Sequence, residues 1–307
     1  MALQRRSELM VSTARLSVMF IAGPGRTGST ILGNVLNEVE GCFHVGELRD
    51  LWRILALGLP NPCGCGLPLT ECPIWSRVLG RVVPEGRPLE EYATEVWGLQ
   101  RSSVRTAHLQ SLLKDRLSDG ARTYSEVMGR VYEAVAEVTG SDIIVDSSKA
   151  PAEAAAMLHA PGVVGYVVTL IRDPRAVAHA WSRTNAHLIR QPLLKSSTNW
   201  VLQCVGAEWV ASKAPASIRI RNEDLIADPE ATVGQLLAGV AASDRVNPVS
   251  GRSVTLHGNH TVAGNPGRER TGEVALEPDQ RWVRGMSRPR QLLVGACTLP
   301  LRVRYRY

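Results

Sequence analysis

The 307-residue chain is short of aromatic side chains, which make up 5% of it, and it has no long apolar run. The first shortage, with the absence of any standard reading motif, weighs against a nucleic-acid-binding module. The second weighs against a membrane span. The N-terminal hydrophobic stretch Leu16 to Ala22 is strand-sized and runs into a glycine turn, so neither a signal peptide nor a spanning helix is expected there. No internal repeat occurs. Without an export signal, the six cysteines are expected to be reduced thiols in a cytoplasmic protein. What is present is ordinary for a globular chain, at 44% hydrophobic and 21% charged residues. The length fits one large domain or one domain with an inserted subdomain, read here as a single domain over 1–307 whose region of about 58–140 builds the acceptor side. A net charge of +6 suits an anionic partner such as nucleic acid, a phosphorylated cofactor or a membrane surface. Arginine spread along the whole chain accounts for it equally well.

Strand-sized apolar runs alternate with helical spacing. LSVMFIAG leads through glycine into STILGNVLNEV, and CFHVG into ELRDLWRILALG. DIIVDSS and VVGYVVTLIRD read as buried strands, the latter followed by a helix over RAVAHAWSR. ASIRIRNEDL gives a further strand, ahead of a helix from about Pro229 to Val240. This alternation predicts an α/β fold with a central parallel sheet flanked by helices. Between them, a Pro-, Gly- and Cys-rich loop begins near residue 58, and a helical region to about 140 is polar enough to form a cover over a site. Residues 243–275 show little periodicity, and a short helical C-terminus closes the chain.

A further absence is a single lysine. Gly23 to Thr30, GPGRTGST, fits the phosphate-loop pattern G-x-x-x-x-G-K-[ST] except that Ser29 stands at the lysine position. In a nucleotide triphosphatase that lysine reaches the β- and γ-phosphates, and a carboxylate after another strand holds magnesium. Neither part is evident here. What remains is an anion cradle. Gly23, Gly25 and Gly28 let backbone N–H groups turn inward, the following helix adds its positive end, and Ser29 and Thr30 add hydroxyls. Arg26 supplies a cation able to stabilise charge on a bridging oxygen, or is a plain surface guanidinium.

FIAGPGRTGSTILGNVL resembles the 5′-phosphosulfate loop of sulfotransferases that use 3′-phosphoadenosine 5′-phosphosulfate (PAPS). More narrowly, it is similar to a bacterial branch related to tyrosylprotein sulfotransferases, in which arginine replaces the usual lysine. The resemblance implies a P-loop nucleotide-kinase-like sulfotransferase fold and PAPS as cofactor, with PAP, its desulfated product, left behind. It also implies that no metal is required, and that Gly25, Arg26, Thr27, Gly28, Ser29 and Thr30 hold the phosphosulfate. Further stretches follow in family order. In FHVGELRDLW, Glu47 stands where the family's proposed catalytic base lies; on its own chemistry it is equally a helix N-terminal carboxylate. His44 is the rival base. In VDSSKAP, Lys149 ends a strand in a setting similar to a lysine that shares the transferring charge with Arg26, or it snorkels at the surface.

VVTLIRDPRAVAHAWSR resembles the 3′-phosphate-binding strand and helix, with Arg172 as the phosphate fork. The family's usual serine eight residues on is Ala180 here, and Ser182 and His179 are out of register as substitutes. Arg175 reads equally as a solvated helix charge. HTVAGNPGRERTGEV resembles the loop that folds over the nucleotide, with Gly264, Asn265 and Arg268 as donors. In RNEDLIADP, Asn222 replaces an aromatic residue often found near the adenine.

The cluster Cys63, Cys65 and Cys72 falls one ligand short of a closed zinc site unless His44 or a distant cysteine joins, and loop packing is the alternative reading. Trp52, one helical turn past Glu47, is a candidate for lining the acceptor pocket. The implied activity is sulfuryl transfer to a hydroxyl of a small-molecule or glycan acceptor, with no nucleic-acid or membrane partner. The alternatives are a small-molecule kinase with a degenerate phosphate loop, or a basic nucleic-acid-binding protein using Arg281, Arg284, Arg288, Arg302, Arg304 and Arg306.

Overall fold

The computed structural model describes residues 16–114, 116–183 and 190–307. The segment 1–15, for which no signal peptide is expected, lies outside the described residues.

Five strands form the central sheet: β1 (Leu16–Ala22), β2 (Cys42–Gly46), β3 (Ile143–Lys149), β4 (Val163–Ile171) and β5 (Ala216–Arg221). They are parallel throughout, in the order β2-β3-β1-β4-β5. The α/β fold with a parallel sheet is therefore as the alternation of elements predicts. β1 is central because both of its faces are covered, and its side chains alternate between two cores. Val18 and Phe20 pack on one side, Met19 and Ile21 on the other.

The first core is closed by the helices Trp75–Val82, Leu89–Ser103, Asp119–Thr139 and Pro151–Met157. The sequence suggests that the region 88–139 covers a site. Instead its helices bury Tyr92, Val96, Tyr124 and Val131 against the sheet. Their outward faces are polar, but each carries an apolar stripe that has to be buried. Trp52 belongs to this core too. It is fully buried, with its ring edge-on to Tyr92 at 5.5 Å, and lines neither of the two cavities described below.

The second core is closed by the helices Ser29–Asn37 and Pro229–Gly239 and by a small antiparallel sheet of β6 (Val249–Ser250), β7 (Ser253–Leu256) and β8 (Gly272–Ala275). These strands are too short to show periodicity in sequence. The chain leaves β1 for β2 on one side and β4 for β5 on the other, so a crevice opens beyond their carboxyl ends. Two register shifts sharpen that end of the sheet, between Phe20 and Ala22 and between His44 and Gly46. Among the described residues no helix is long and apolar enough to cross a membrane.

Candidate active site

The loop after β1 closes onto the helix Ser29–Asn37 through Gly28, whose φ of +93° and lack of a side chain leave the first-turn amides uncapped. A Cβ at Gly28 would run into Asn222 Nδ2. Ser29 and Thr30 are buried at the mouth of this helix, while Thr27 turns its hydroxyl back to Pro24 O at 3.0 Å. Arg26 itself takes a left-handed φ of 69°, and Lys149 one of 66°. Such conformations are costly for residues with a Cβ and persist where surrounding structure enforces them. Both cations are thus held at the sheet's carboxyl edge by strained backbone.

Lys149 Nζ pairs with Glu47 Oε1 at 2.6 Å and donates to Ser147 O at 3.1 Å. Glu47 begins the turn after β2, where its N–H donates to Ala263 O. Arg26, Glu47 and Lys149 all line one cavity of 810 Å³. Its other walls come from Arg49, Asp50 and Arg53, from Leu59 to Pro62, and from Ser196, Asn199, Trp200 and Gln203 on the helix Leu193–Ala211. That helix has apolar and small residues around its whole girth, so no amphipathic signal marks its cavity-facing side in sequence.

A second cavity, of 420 Å³, begins on the far side of Arg26. Gly28, Ser29, Thr30, Arg172, Arg281 and Trp282 line it, and Arg26 and Asn265 border both spaces. Arg172 donates to Arg26 O at 3.2 Å and pairs with Asp279 at 3.3 Å, and its own carbonyl accepts from Trp200 Nε1. Arg281 grips the same Asp279 at 2.7 Å. The Asp279 carboxyl is held well below the usual carboxylate range, chiefly by hydrogen bonds from Arg281 and also by Arg172, against the opposing effect of burial. The Arg26 guanidinium is pushed down by burial and by the charges of Arg172 and Arg281, and its Nε is buried with no partner among the described residues. Three guanidinium groups face one space there, and that concentration of positive charge can attract an anion.

Asn265 accepts from Arg26 Nη1 and donates to Thr30 Oγ1, joining the 260s loop to the cradle. Gly264 lines the first cavity beside it. Arg268 is buried, and its Nη1 and Nη2 donate to Thr261 O and Pro62 O, so it clasps two loops together. Ala180 and His179 lie in the wall of the second cavity, while Ser182 donates to His179 O within its own helix. Arg175 is chelated by Asp173 and stacks 4.6 Å over Trp282, so it is not a solvated charge.

His44 is fully buried, 2.9 Å from Ser147 Oγ, and burial with the nearby Lys149 lowers its pKa to about 3. It stays neutral inside the sheet and lines neither cavity. Two buried carboxyls escape notice in sequence. Asp146 accepts from Tyr132 and from Ser148 N, and Glu153 accepts from Tyr124 and Gln100. Asp146 stands where a strand-end magnesium carboxylate would be sought, yet its oxygens are engaged in the core. The fourth polar group at the cysteines is also a surprise: His260 faces Cys63, Cys65 and Cys72, in place of His44 or another cysteine. Compared with known proteins, the chain matches no protein-family model and no curated protein.

Proposed function

We propose that this protein is a PAPS-dependent sulfotransferase of P-loop nucleotide-kinase-like fold, acting in the cytoplasm on a hydroxyl of a small-molecule or glycan acceptor. The observation that carries this reading is the meeting of Arg26, Lys149 and Arg172 around a lysine-less anion cradle, with Glu47 on Lys149. The strand order, with the cradle after the central strand, supports it. So does the partition of the crevice at Arg26 into a cationic pocket and a larger, polar-walled one.

The residues fit the nucleotide. Gly25 to Thr30 would hold its 5′ end, Arg172 and Arg281 its 3′-phosphate, and Trp282 offers the aromatic face that Asn222 lacks. Bound there, PAPS supplies the sulfuryl group. Glu47 would accept the proton of an acceptor hydroxyl placed beside the 5′ end of the nucleotide. Arg26 and Lys149 would supply the positive charge that stabilises a phosphate leaving group. The polar wall of Ser196, Asn199 and Gln203 orients a hydroxylated acceptor.

A kinase reading is disfavoured because Ser29 replaces the lysine and Asp146 is engaged by Tyr132 and Ser148. Against a nucleic-acid module, the exposed Arg281 and Arg304 already pair with the carboxylates of Asp279 and Glu208, which offset the charge a phosphate backbone would need. Isothermal titration with PAP and with ATP, each with and without magnesium, tests the reading. PAP is expected to bind well above ATP and independently of magnesium; magnesium-dependent ATP binding with no response to PAP would overturn it. Mass spectrometry of metabolites gaining a sulfate from PAPS would then identify the acceptor.

A further inference from the structure

The segment from Leu59 to Ile74 and the segment from His257 to Arg268 lie far apart in sequence and are laced together. Gly64 N donates to Thr261 O at 2.9 Å, Asn61 Nδ2 to Val262 O at 2.8 Å, and Trp75 Nε1 to His260 O at 2.5 Å. The approach is close enough that a Cβ on Gly64 would strike Asn259. At the centre of this seam, Sγ of Cys63, Cys65 and Cys72 and a ring nitrogen of His260 all lie within 4.8 Å of one another. His260 Nδ1 is 3.2 Å from Cys72 Sγ and 3.8 Å from Cys63 Sγ.

We propose that these four side chains form a structural zinc site. A tetrahedral zinc with thiolate and imidazole ligands needs S···S separations of about 3.8 Å and S···N separations of about 3.5 Å. The observed S···N distances bracket the second figure, so a metal at the centre demands only small movements. Three thiolates and an imidazole are a soft set that selects zinc over magnesium or calcium. Four protein ligands close the site, which assigns it a structural rather than a catalytic role. Arg268, anchored on Pro62 O, brings a positive charge beside Cys63 against the net negative charge of a zinc with three thiolates.

The site also has a consequence. Leu59 to Pro62, just before the first ligand, and Ala263 to Asn265, just after the last, line the larger cavity. The metal therefore clamps together two walls of the acceptor pocket. This holds whether or not the pocket transfers a sulfuryl group.

Elemental analysis of the full chain purified without chelator is expected to give about one zinc per chain, since such ligands bind zinc tightly once folded. Cobalt substituted for it is expected to show the strong visible bands of a tetrahedral thiolate complex. Cys65 and Cys297 are both exposed thiols. In metal-free reduced protein both should alkylate, and added zinc should slow Cys65 by about 10-fold or more while Cys297, outside the cluster, serves as the internal control. Cys65→Ser, at an exposed position that leaves packing intact, should lower zinc affinity by at least about 10-fold. Negligible zinc content together with equal labelling of the two thiols in added zinc would overturn the proposal. So would a Cys63–Cys72 disulfide in the native protein.

Discussion

Lys149 Nζ lies 2.6 Å from Glu47 Oε1, and the two side chains come from the ends of adjacent parallel strands. The pair joins a group proposed to accept a proton to one proposed to hold developing negative charge. Glu47→Gln keeps shape and hydrogen bonding but removes the basic group, so turnover should fall by about 10²–10⁴-fold with PAP affinity nearly unchanged. Lys149→Ala and Arg26→Ala should likewise depress kcat more than cofactor affinity. Steady-state kinetics with the identified acceptor, alongside calorimetry with PAP, checks this. Near-normal turnover in Glu47→Gln would remove it as the base, and the buried, neutral His44 offers no replacement.

Arg172 is mostly buried and shares Asp279 with Arg281. Arg172→Ala should cost roughly 2–4 kcal/mol of PAP binding, as expected when a desolvated phosphate loses a charged fork. Asp279→Asn should act in the opposite direction. Removing the competing carboxylate frees both guanidinium groups, and PAP affinity should rise by about 3- to 10-fold at low salt, with a steeper loss as salt is added. Calorimetry at two ionic strengths separates the outcomes. Weaker binding in Asp279→Asn would mean that its carboxylate orients the arginines more than it competes for them.

Much of this site is legible in the sequence because its members sit at strand ends, where a buried apolar run stops at a polar residue. Glu47 and Arg172 directly follow β2 and β4, Lys149 is the last residue of β3, and Arg26 lies in the loop after β1. The parallel sheet is legible for the same reason. Contacts between distant segments are not. His260 has no local pattern, and only the packing of the 260s loop on the Cys-rich loop brings it to Cys72. Asp279 lies in a loop and Trp282 in the five-residue helix Arg281–Gly285, too short to show periodicity, and Ser196 and Asn199 belong to a helix without an apolar stripe. Trp52 misleads because a single aromatic one turn past a candidate base does not show which way it points.

The buried carboxyls set a pH dependence of stability. Burial raises the pKa of Asp146 to about 6 and that of Glu153 to about 7, despite hydrogen bonds that favour the ionised forms. Between the ordinary carboxylate range and these values, the folded protein keeps protons that the unfolded chain has released. Stability from these groups is therefore highest below that range, falls as pH rises through it, and levels off above about pH 7. For Glu153 alone the full window corresponds to a contribution on the order of 3 kcal/mol. Glu153→Gln should flatten the fall in denaturant-derived stability between pH 5 and 8, measured at about those two values. Parallel pH curves for mutant and wild type would show that Glu153 ionises no differently in the folded state.

The cradle gives a test in which strain and steric conflict separate. Gly28 has φ +93°, and a Cβ there would meet Asn222 Nδ2. Gly28→Ala therefore suffers a left-handed penalty of about 1–2 kcal/mol and a clash. Relief of either would turn the first-turn amides away from the anion. PAP affinity should fall by at least about 10-fold, because these amides contribute through direction as much as through charge. Asn222→Ala alone should leave the cradle intact, since the Asn222 amide is not needed to hold the loop in this scheme. Combining the two removes the clash but not the backbone strain, so the double variant should recover part of the lost affinity and not all of it. Calorimetry with PAP on the four proteins of this cycle gives the coupling directly. Strict additivity would mean that the Asn222 side chain moves aside freely and that strain alone disables the loop. Unchanged affinity in Gly28→Ala would show that the anion does not bind at these amides at all.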